Sequence, residues 1–388
     1  MVAYLEGLAH RGHTIHLLTF ETGPLTRARR GAIRDRLRSR GLDWHGLRYH
    51  KRPSLPATIL DVICGAFACA WLVRRHHLDA VHARNHVPAA MAMLAGPFAA
   101  HRLIFDIRGL MAEEYVDLGR WRRGGLAFRI TKRTEQAAIR RADGIVVLTE
   151  RVRRLLFGER GRDDVVVIPC CADTDRVASQ RASRAVMRRG LGIEDRSVLT
   201  YVGKLGGWYM DAEMIDFFVA ARAAIPELHF LIVTQADGRA IERQLAQRGV
   251  EASDYTVTTV EHPRLGELLG AADAAIALIR PMPSKVAASP TKIAECLAAG
   301  MPVVATDIGD VKPLLESSRT GIVLSEFSAR AYRTAAAELA TMLADPSTGR
   351  RCLATAAEHL SLRRIGLPRY DALYVRVAKG REDPSSRR

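Results

Sequence analysis

Two spacings of apolar residues alternate along the first half of the chain. Short apolar runs, typical of buried strands, are separated by longer segments in which apolar residues recur every three or four positions, as in amphipathic helices. The runs predict strands near residues 13–21, 46–50, 79–83, 102–106, 144–148 and 165–169. The longer segments predict helices near 25–40, 57–76, 87–99 and 121–141. Strands that alternate with helices favour a doubly wound parallel sheet.

The second half of the chain begins the same alternation again. It predicts strands near 197–202, 228–234, 255–260 and 273–279, separated by helices that end near 224 and span 238–248 and 264–271. A chain of 388 residues is too long for one ordinary domain. The pattern therefore predicts two Rossmann-like units, each with its own parallel sheet.

The segment from Ser289 to Thr306 predicts a loop, a helix and a strand in succession. Ser289 is a residue type that caps helices, and Pro290 fits the first helical position because no hydrogen bond is lost there. Gly300 suits the left-handed conformation that ends a helix. A β-branched run follows it and predicts a short strand.

The N-terminus of this predicted helix is a candidate phosphate site, formed by Ser289, Pro290, Thr291 and Lys292. Unpaired backbone N–H groups and a partial positive charge attract anions there, and Lys292 adds a full charge. Glu295 lies on the same helical face, where its carboxylate can accept hydrogen bonds from a ribose. The alternative is an ordinary capped helix with a solvated Lys–Glu pair on its surface.

A glycine-rich turn follows the strand predicted at 197–202. Gly203, Lys204 and Gly206 would let the backbone approach a phosphate closely, with Lys204 supplying charge. In the first half, Asp106 and Arg108 follow the strand at 102–106, at the edge of a parallel sheet where ligands bind. The alternatives are a βα turn with a solvated lysine and an Asp–Arg pair that only orders its loop.

Composition narrows the classes of partner. The net charge of +16 and the pI near 10.1 favour anions: nucleotide diphosphates, anionic lipid surfaces or nucleic acid. No helix-turn-helix or zinc-finger pattern is present, so nucleic acid is not expected. The six cysteines lack metal-ligand spacing, which favours free thiols in a reducing cytoplasm. The apolar stretch Ala57–Val73 predicts a buried or interfacial helix.

The Ser289–Thr306 segment closely resembles the nucleotide-binding core of retaining GT-B glycosyltransferases of group four (glycosyl transferases group 1). That family has an acidic residue, seven further residues, a glutamate, and a helix end of the form Ala-x-Gly-x-Pro-Val-Val-Ala-Thr; Glu295 matches the glutamate. The run Val-Ile-Pro-Cys-Cys-Ala-Asp-Thr-Asp resembles the linker between the two domains of the family. The resemblance implies the GT-B fold, with two Rossmann-like domains facing a cleft.

The resemblance also implies a function: transfer of a sugar from a nucleotide-diphosphate sugar to a glycan or lipid-linked glycan, with retention of configuration, in surface polysaccharide synthesis. Glu295 would bind the ribose, and Lys204 and Lys292 would neutralise the diphosphate. Asp106 and Arg108 would serve the acceptor side. No cofactor or metal is expected. The free thiols favour a cytoplasmic location, and the basic net charge suits peripheral attachment at the inner face of an anionic membrane, where a lipid-linked acceptor would lie.

The chain departs from the family pattern in three ways. Ala287 stands where the family has its first acid, and Trp208 and Tyr209 stand where a second cation is common, so that cation is absent or supplied elsewhere. The chain also opens with a helix where the family has a first strand and a glycine-rich loop. We therefore expect a first domain without its first strand, from an upstream start codon or a fragment. A sugar-nucleotide epimerase and a non-catalytic sugar-nucleotide-binding protein remain alternatives.

The resemblance sets the expected domain boundaries. Residues 1–171 would form the acceptor-side domain and 172–360 the nucleotide-sugar domain. An amphipathic pattern predicts a helix within 361–380, which in the family returns to the first domain. The polar residues 381–388 are expected to form a disordered tail.

Overall fold

The computed structural model describes residues 1–23, 25–50, 54–261 and 264–379. The chain forms two compact units. Unit 1 comprises Met1–Ile168 together with the C-terminal residues from Gly366, and unit 2 comprises Pro169–Ile365. The sequence-based boundaries, at 171 and 360, lie three and five residues from these. The expected disordered tail falls outside the described residues.

Unit 1 is built from strands that alternate with helices, as the sequence pattern predicts. Its strands are β1 (Ile15–Glu21), β2 (Leu42–Arg48), β3 (Ala80–Arg84), β4 (Arg102–Ile107), β5 (Gly144–Val147) and β6 (Val165–Val167). Its helices are α1 (Val2–Ala9), α2 (Arg27–Arg38), α3 (Ser54–His76), α4 (His86–Ala95), α5 (Met111–Asp117), α6 (Leu126–Arg141), α7 (Glu150–Phe157) and α17 (Leu367–Lys379). The strand predicted at 46–50 begins earlier, because Gly41 turns the chain with a φ of 75° directly before β2.

The sheet of unit 1 is in two parts. All of its strand pairs are parallel, but in the described residues β1 pairs only with β2, while β3, β4, β5 and β6 form a separate sheet in that order. Every residue of β1 is only half-buried, although the strand is largely apolar. Leu18 of β1 and Val81 of β3 both pack against one apolar cluster, which core-facing residues of α3 form together with the end of α4. The two-part sheet matches a first domain without its first strand.

The C-terminal helix α17 packs on the sheet of unit 1 through hydrogen bonds to buried groups. Asp106 in β4 is fully buried, and its Oδ2 accepts a hydrogen bond of 3.1 Å from the hydroxyl of Tyr370. The hydroxyl of Tyr374 lies 2.7 Å from Nδ1 of His82, whose Nε2 lies 3.4 Å from the same carboxylate oxygen. The helix therefore completes the polar interior of the unit.

Unit 2 contains one six-stranded parallel sheet. Its strands are β7 (Ser197–Val202), β8 (Leu228–Val233), β9 (Tyr255–Thr258), β10 (Ala274–Ala277), β11 (Val303–Thr306) and β12 (Gly321–Leu324). Its helices are α8 (Thr174–Gln180), α9 (Arg184–Leu191), α10 (Asp211–Arg222), α11 (Arg239–Gln247), α12 (Leu265–Ala271), α13 (Thr291–Ala298), α14 (Val311–Ser318), α15 (Ala329–Ala344) and α16 (Thr348–His359). Apolar residues of this sheet are buried on both of its faces, as a parallel sheet covered by helices requires.

The strand order of unit 2 reverses direction at β7. The order is β12-β11-β10-β7-β8-β9, so the chain builds outward from β7 through β8 to β9 and then returns to β7's other side with β10. Ligands of open α/β sheets bind at such a switch point, outside the carboxyl ends of the strands. The two loops that flank the switch point, after β7 and after β10, carry the glycine-rich turn and the segment that leads into α13.

Helix α3 is the one described helix that passes a test for a membrane span by length and composition. The passing stretch is Pro56–His76, and 44% of its most apolar window is buried in the protein. Core helices of water-soluble proteins meet the same criteria. The side of α3 that faces away from the protein is nevertheless apolar.

We expect Tyr370→Phe to destabilise unit 1 by about 1–3 kcal/mol, because it leaves the buried Asp106 carboxylate short of a donor. Urea denaturation followed by far-UV circular dichroism measures the change. Val375→Ala, on an exposed position of the same helix, is the control and should have little effect. Equal stabilities of the Tyr370 variant and the wild type would show that this bond does not hold α17 in place.

Candidate active site

Helix α13 begins next to the switch point of unit 2, but it is not capped as predicted. The helix starts at Thr291, and Pro290 is its N-cap residue, with φ −71° and ψ 118°. The expected cap by Ser289 is wrong, because the Ser289 hydroxyl instead accepts a hydrogen bond of 3.0 Å from the backbone N–H of Cys170. The predicted end of the helix is confirmed: Gly300 has a φ of 75°. Pro290 thus gives the first-turn N–H groups of α13 no side-chain cap.

Lys292, in the first turn of α13, carries a buried charge. In the described part of the chain, its Nζ has no hydrogen-bond acceptor within reach. The nitrogen lies 4.6 Å from the ring centre of Tyr201 and 4.1 Å from that of Tyr209, so two aromatic faces take the place of acceptors. Burial lowers the pKa of Lys292 to about 8, although Glu295 and Asp211 act to raise it.

The glycine-rich turn after β7 lies directly against Lys292. A Cβ on Gly203 would lie 2.5 Å from Nζ of Lys292, and Gly203 has a φ of 145°, so only glycine fits. Gly206 follows with a φ of 72°. Its N–H donates a 2.6 Å hydrogen bond to Asp211, a residue that the sequence reasoning missed. The structure therefore brings the two predicted phosphate loops together.

The predicted lysines differ in their surroundings. Lys204 is exposed, and its backbone carbonyl accepts a hydrogen bond from the Tyr201 hydroxyl, which fixes the turn. Lys292 is partly buried as a residue, and its Nζ is fully buried. Glu295 is also buried on α13, which excludes the alternative of a solvated Lys–Glu surface pair. Thr291 and Pro290 remain at the helix start, beside these groups.

A third lysine lies near the same loops and was not among the predicted site residues. Lys285 is buried in the turn Pro283–Ala287 that precedes α13, and its Nζ lies 3.7 Å from the ring centre of Trp208. Its carbonyl accepts a 2.9 Å hydrogen bond from the N–H of Gly309, after β11. The sequence held one signal for this lysine, because Trp208, whose ring Lys285 contacts, stands at a position where the family commonly has a cation. Ala287, at the position of the family's first acid, is buried.

The residues predicted for the acceptor side lie in unit 1. The guanidinium of Arg108 is 3.8 Å from Oδ1 of Asp106. Burial would raise the pKa of Asp106, but the hydrogen bond with His82 and the charge of Arg108 hold that pKa below its usual range. These contacts account for an ordering role of the pair, while its contact with an acceptor stays a prediction.

A second buried network in unit 1 was not predicted. Nε2 of His86 lies 2.8 Å from Glu135, which also binds Lys132, and Lys132 reaches Glu113 at 3.0 Å. Burial would raise the pKa of Glu135, but the hydrogen bonds from His86 and Lys132 lower it. Glu113 lies in α5, directly after the loop that carries Arg108, so the network holds the end of that loop.

Comparison with known proteins agrees with this architecture. Residues 1–176 match the profile of Glycosyltransferase Family 4, and residues 196–342 match that of Glycosyl transferases group 1. A curated relative, the alpha-D-kanosaminyltransferase of Streptomyces kanamyceticus, is 25% identical over 209 residues. That match covers 51% of this chain and 51% of the relative, so the chain spans about half the length of the curated relative it matches.

Two solved structures extend the comparison to the fold. The sucrose-phosphate synthase of Thermosynechococcus elongatus superimposes with a TM-score of 0.72 at 18% identity, over 97% of this chain and 92% of that one. HepE of Anabaena gives a TM-score of 0.65 at 16% identity, over 93% of this chain and all of the other. These likenesses define the class of the protein by fold: it is a GT-B protein with two Rossmann-like units.

The two matched profiles together identify the family within that class. The chain belongs to the group 1 glycosyltransferases, with a family 4 N-terminal region.

We expect Lys292→Met to stabilise unit 2 by up to about 3 kcal/mol at pH 7, because it removes a buried charge with a pKa lowered to about 8. Below pH 8 the lysine is protonated in both folded and unfolded chains, so the whole penalty applies. Between pH 8 and 10.5 only the unfolded chain keeps the proton. Wild-type stability should therefore rise relative to the variant over that interval.

Urea denaturation at pH 7 and at pH 9.5, followed by far-UV circular dichroism, tests this expectation. Lys312→Met, at a half-exposed surface pair with Glu316, is the matched control and should change little at either pH. A Lys292 variant that is less stable than the wild type at pH 7 would contradict the account of a costly buried charge.

Proposed function

We propose that this protein transfers a sugar from a nucleotide-diphosphate sugar to the hydroxyl of a glycan or lipid-linked glycan, with retention of configuration. The observation that carries the proposal is the buried Lys292 ammonium, which lies at the switch point without a hydrogen-bond acceptor among the described residues. Burying such a charge is costly, and a diphosphate bound there would supply the missing acceptors.

The chemistry of transfer explains why cations belong at this position. The bond between the anomeric carbon and the diphosphate oxygen breaks, and negative charge grows on the departing phosphate. Groups that are already oriented stabilise that charge in the transition state. In our proposal, Lys292 and the first N–H groups of α13 bind the diphosphate, the exposed Lys204 closes over it, and Lys285 is the second cation that the sequence lacked at 208 and 209. No metal is then required.

The remaining parts of the donor follow from the same loops. Glu295, one turn along α13 from Lys292, accepts hydrogen bonds from the ribose, and Gly203 and Gly206 leave room for the phosphates. HepE of Anabaena has been solved with UDP and with UDP-glucose, which supports a uridine nucleotide as the first donor to try. The acceptor loses its hydroxyl proton to the departing phosphate oxygen, so no strong protein base is needed. Asp106 and Arg108 order the acceptor-side loop.

The two alternatives predict different products. An epimerase would convert the donor without any acceptor, and a non-catalytic binding protein would bind nucleotide without turnover. Incubation of labelled UDP-sugars with and without a lipid extract separates these cases. Labelled lipid together with released UDP supports transfer, whereas an altered sugar nucleotide without acceptor identifies an epimerase. The anomeric coupling constant of the product reports whether configuration is retained.

We expect Lys292→Met to weaken binding of the preferred nucleoside diphosphate by about 10- to 100-fold, because a charge-assisted hydrogen bond is lost. Calorimetric titration with UDP, GDP and ADP at pH 7 measures the change. Glu295→Gln should weaken binding of the nucleotide while sparing that of pyrophosphate. Lys312→Met and Glu316→Gln form the matched control pair on α14.

The affinity of the wild type should also depend on pH. Diphosphate binds the protonated form of Lys292, so affinity is highest below pH 8 and falls as pH rises through that value. The Lys292→Met variant should lack this fall. Normal, pH-independent binding by that variant would mean that the diphosphate lies elsewhere.

We further propose that unit 1 attaches the protein to the cytoplasmic face of an anionic membrane, in keeping with a lipid-linked acceptor in surface polysaccharide synthesis. Ile59, Ile63, Phe67 and Trp71 recur at four-residue spacing along α3 and are each about half exposed. The ring of Phe98 lies 5.9 Å from that of Phe67 and extends the apolar surface.

Charge complements this apolar stripe. Exposed arginines follow it at the end of α3, and helix α2 carries six more in twelve residues. A helix with an apolar outer face and basic residues nearby is the arrangement that favours an interfacial position on anionic lipid. The occupant we infer for the stripe is therefore the interface of a bilayer that contains acidic phospholipid.

We expect Phe67→Asp to reduce binding to vesicles of acidic phospholipid by at least about tenfold, because one inserted aromatic side chain contributes about 1.5–3 kcal/mol. Vesicle flotation at low salt measures binding. Val186→Asp, at an exposed apolar position of unit 2, is the control and should bind as the wild type does. If the wild type does not float with these vesicles, the membrane proposal is wrong.

A further inference from the structure

Three histidines from separate elements of unit 1 converge on one point. His16 lies near the start of β1, His45 in the middle of β2, and His76 at the last position of α3. One ring nitrogen of each lies within 4.8 Å of those of the other two. The sequence analysis did not connect them, because they are about thirty residues apart along the chain and share no metal-binding spacing.

The geometry of the cluster follows from the parallel pairing of β1 with β2. Leu18 of β1 faces His45 in register, and His16 lies two residues earlier on the same face. Nδ1 of His16 is 3.2 Å from Nε2 of His45. Helix α3 packs on this face through Leu18, which brings its end over the two rings. The His76 ring centre is then 4.1 Å from that of His16.

We propose that His16, His45 and His76 bind a divalent transition-metal ion, with zinc as the expected occupant. Imidazole nitrogen is a preferred ligand of zinc, copper and nickel, at about 2.0–2.1 Å for zinc. Two nitrogens bound at that distance in a tetrahedron lie about 3.3 Å apart. The His16–His45 pair meets this requirement. His76 is exposed at a helix end, so a rotamer change brings it into place.

The surroundings favour a cation with a structural role. The carboxylate of Asp43 interacts with both His16 and His45, while Arg34 opposes it more weakly at His45 alone. His16 lies at the amino-terminal end of β1, opposite the strand ends where parallel sheets bind substrates. A metal bound by the three histidines would link the β1–β2 pair to the end of α3. The prediction of metal-free sugar transfer concerns unit 2 and is independent of this site.

Titration of the tag-free 388-residue chain with Co²⁺ and Zn²⁺ tests the proposal. We expect one equivalent of Co²⁺ to give visible ligand-field absorption, to be displaced by one equivalent of Zn²⁺, and to quench Trp71, whose ring centre is 6.1 Å from that of His76. His76→Ala should weaken binding by about 100-fold or more, since losing even an indirect metal partner costs 10- to 100-fold. Because His76 is exposed, we expect the His76→Ala variant to fold as the wild type does.

Two further variants separate the site from weak surface binding. His77→Asn keeps the adjacent residue in its left-handed conformation, with a φ of 52°, and should bind metal as the wild type does. Zn²⁺ should raise the unfolding temperature of the wild type and of His77→Asn but not that of His76→Ala. Full affinity in His76→Ala, or no stoichiometric Co²⁺ spectrum in the wild type, would overturn the proposal and leave a stacked, hydrogen-bonded histidine cluster. Nucleotide binding serves as a separate check of unit 2.

Discussion

Parallel pairing of β7 with both β8 and β10 is the constraint from which the donor site of unit 2 follows. It places two loops side by side at the carboxyl ends of the strands, and the chain reaches the second only after building β8 and β9. Gly203 in the first loop then lies directly against Lys292 from the second. Neither residue alone makes a phosphate site. The two residues are 89 positions apart along the chain, and they form one site because the strand order reverses at β7.

The buried charge of Lys292 lowers the stability of the fold around it. Two tyrosine faces and the first turn of α13 surround a charge that water would solvate better. The charge therefore raises the free energy of the empty protein, while it prepares the site for an anion without rearrangement. Sites that bind strongly charged ligands often show this compromise, in which the residue most needed for binding is the one whose removal stabilises the fold.

Much of this arrangement could be predicted from the sequence, and the exceptions have physical reasons. The alternation of strands and helices predicted both sheets, and the glycine and lysine patterns predicted the two loops. The cap at Ser289 was wrong because a tertiary hydrogen bond from Cys170 competes with the local one. Helices α8 and α9 were not predicted, because each is only seven or eight residues long, which is too short for a clear periodicity. Lys285 and the three histidines depend on contacts between distant segments, which no local pattern encodes.

The burial of Asp106 beneath α17 has a consequence for biosynthesis. Unit 2 is one continuous stretch of chain, whereas unit 1 is completed by residues from the far end of the sequence. On the ribosome the first unit emerges early, yet Asp106 cannot receive its hydrogen bond from Tyr370 until almost the whole chain has been made. The usual order, in which the N-terminal domain finishes folding first, is thus reversed. The first half of the molecule is closed only after the whole of unit 2 has been made.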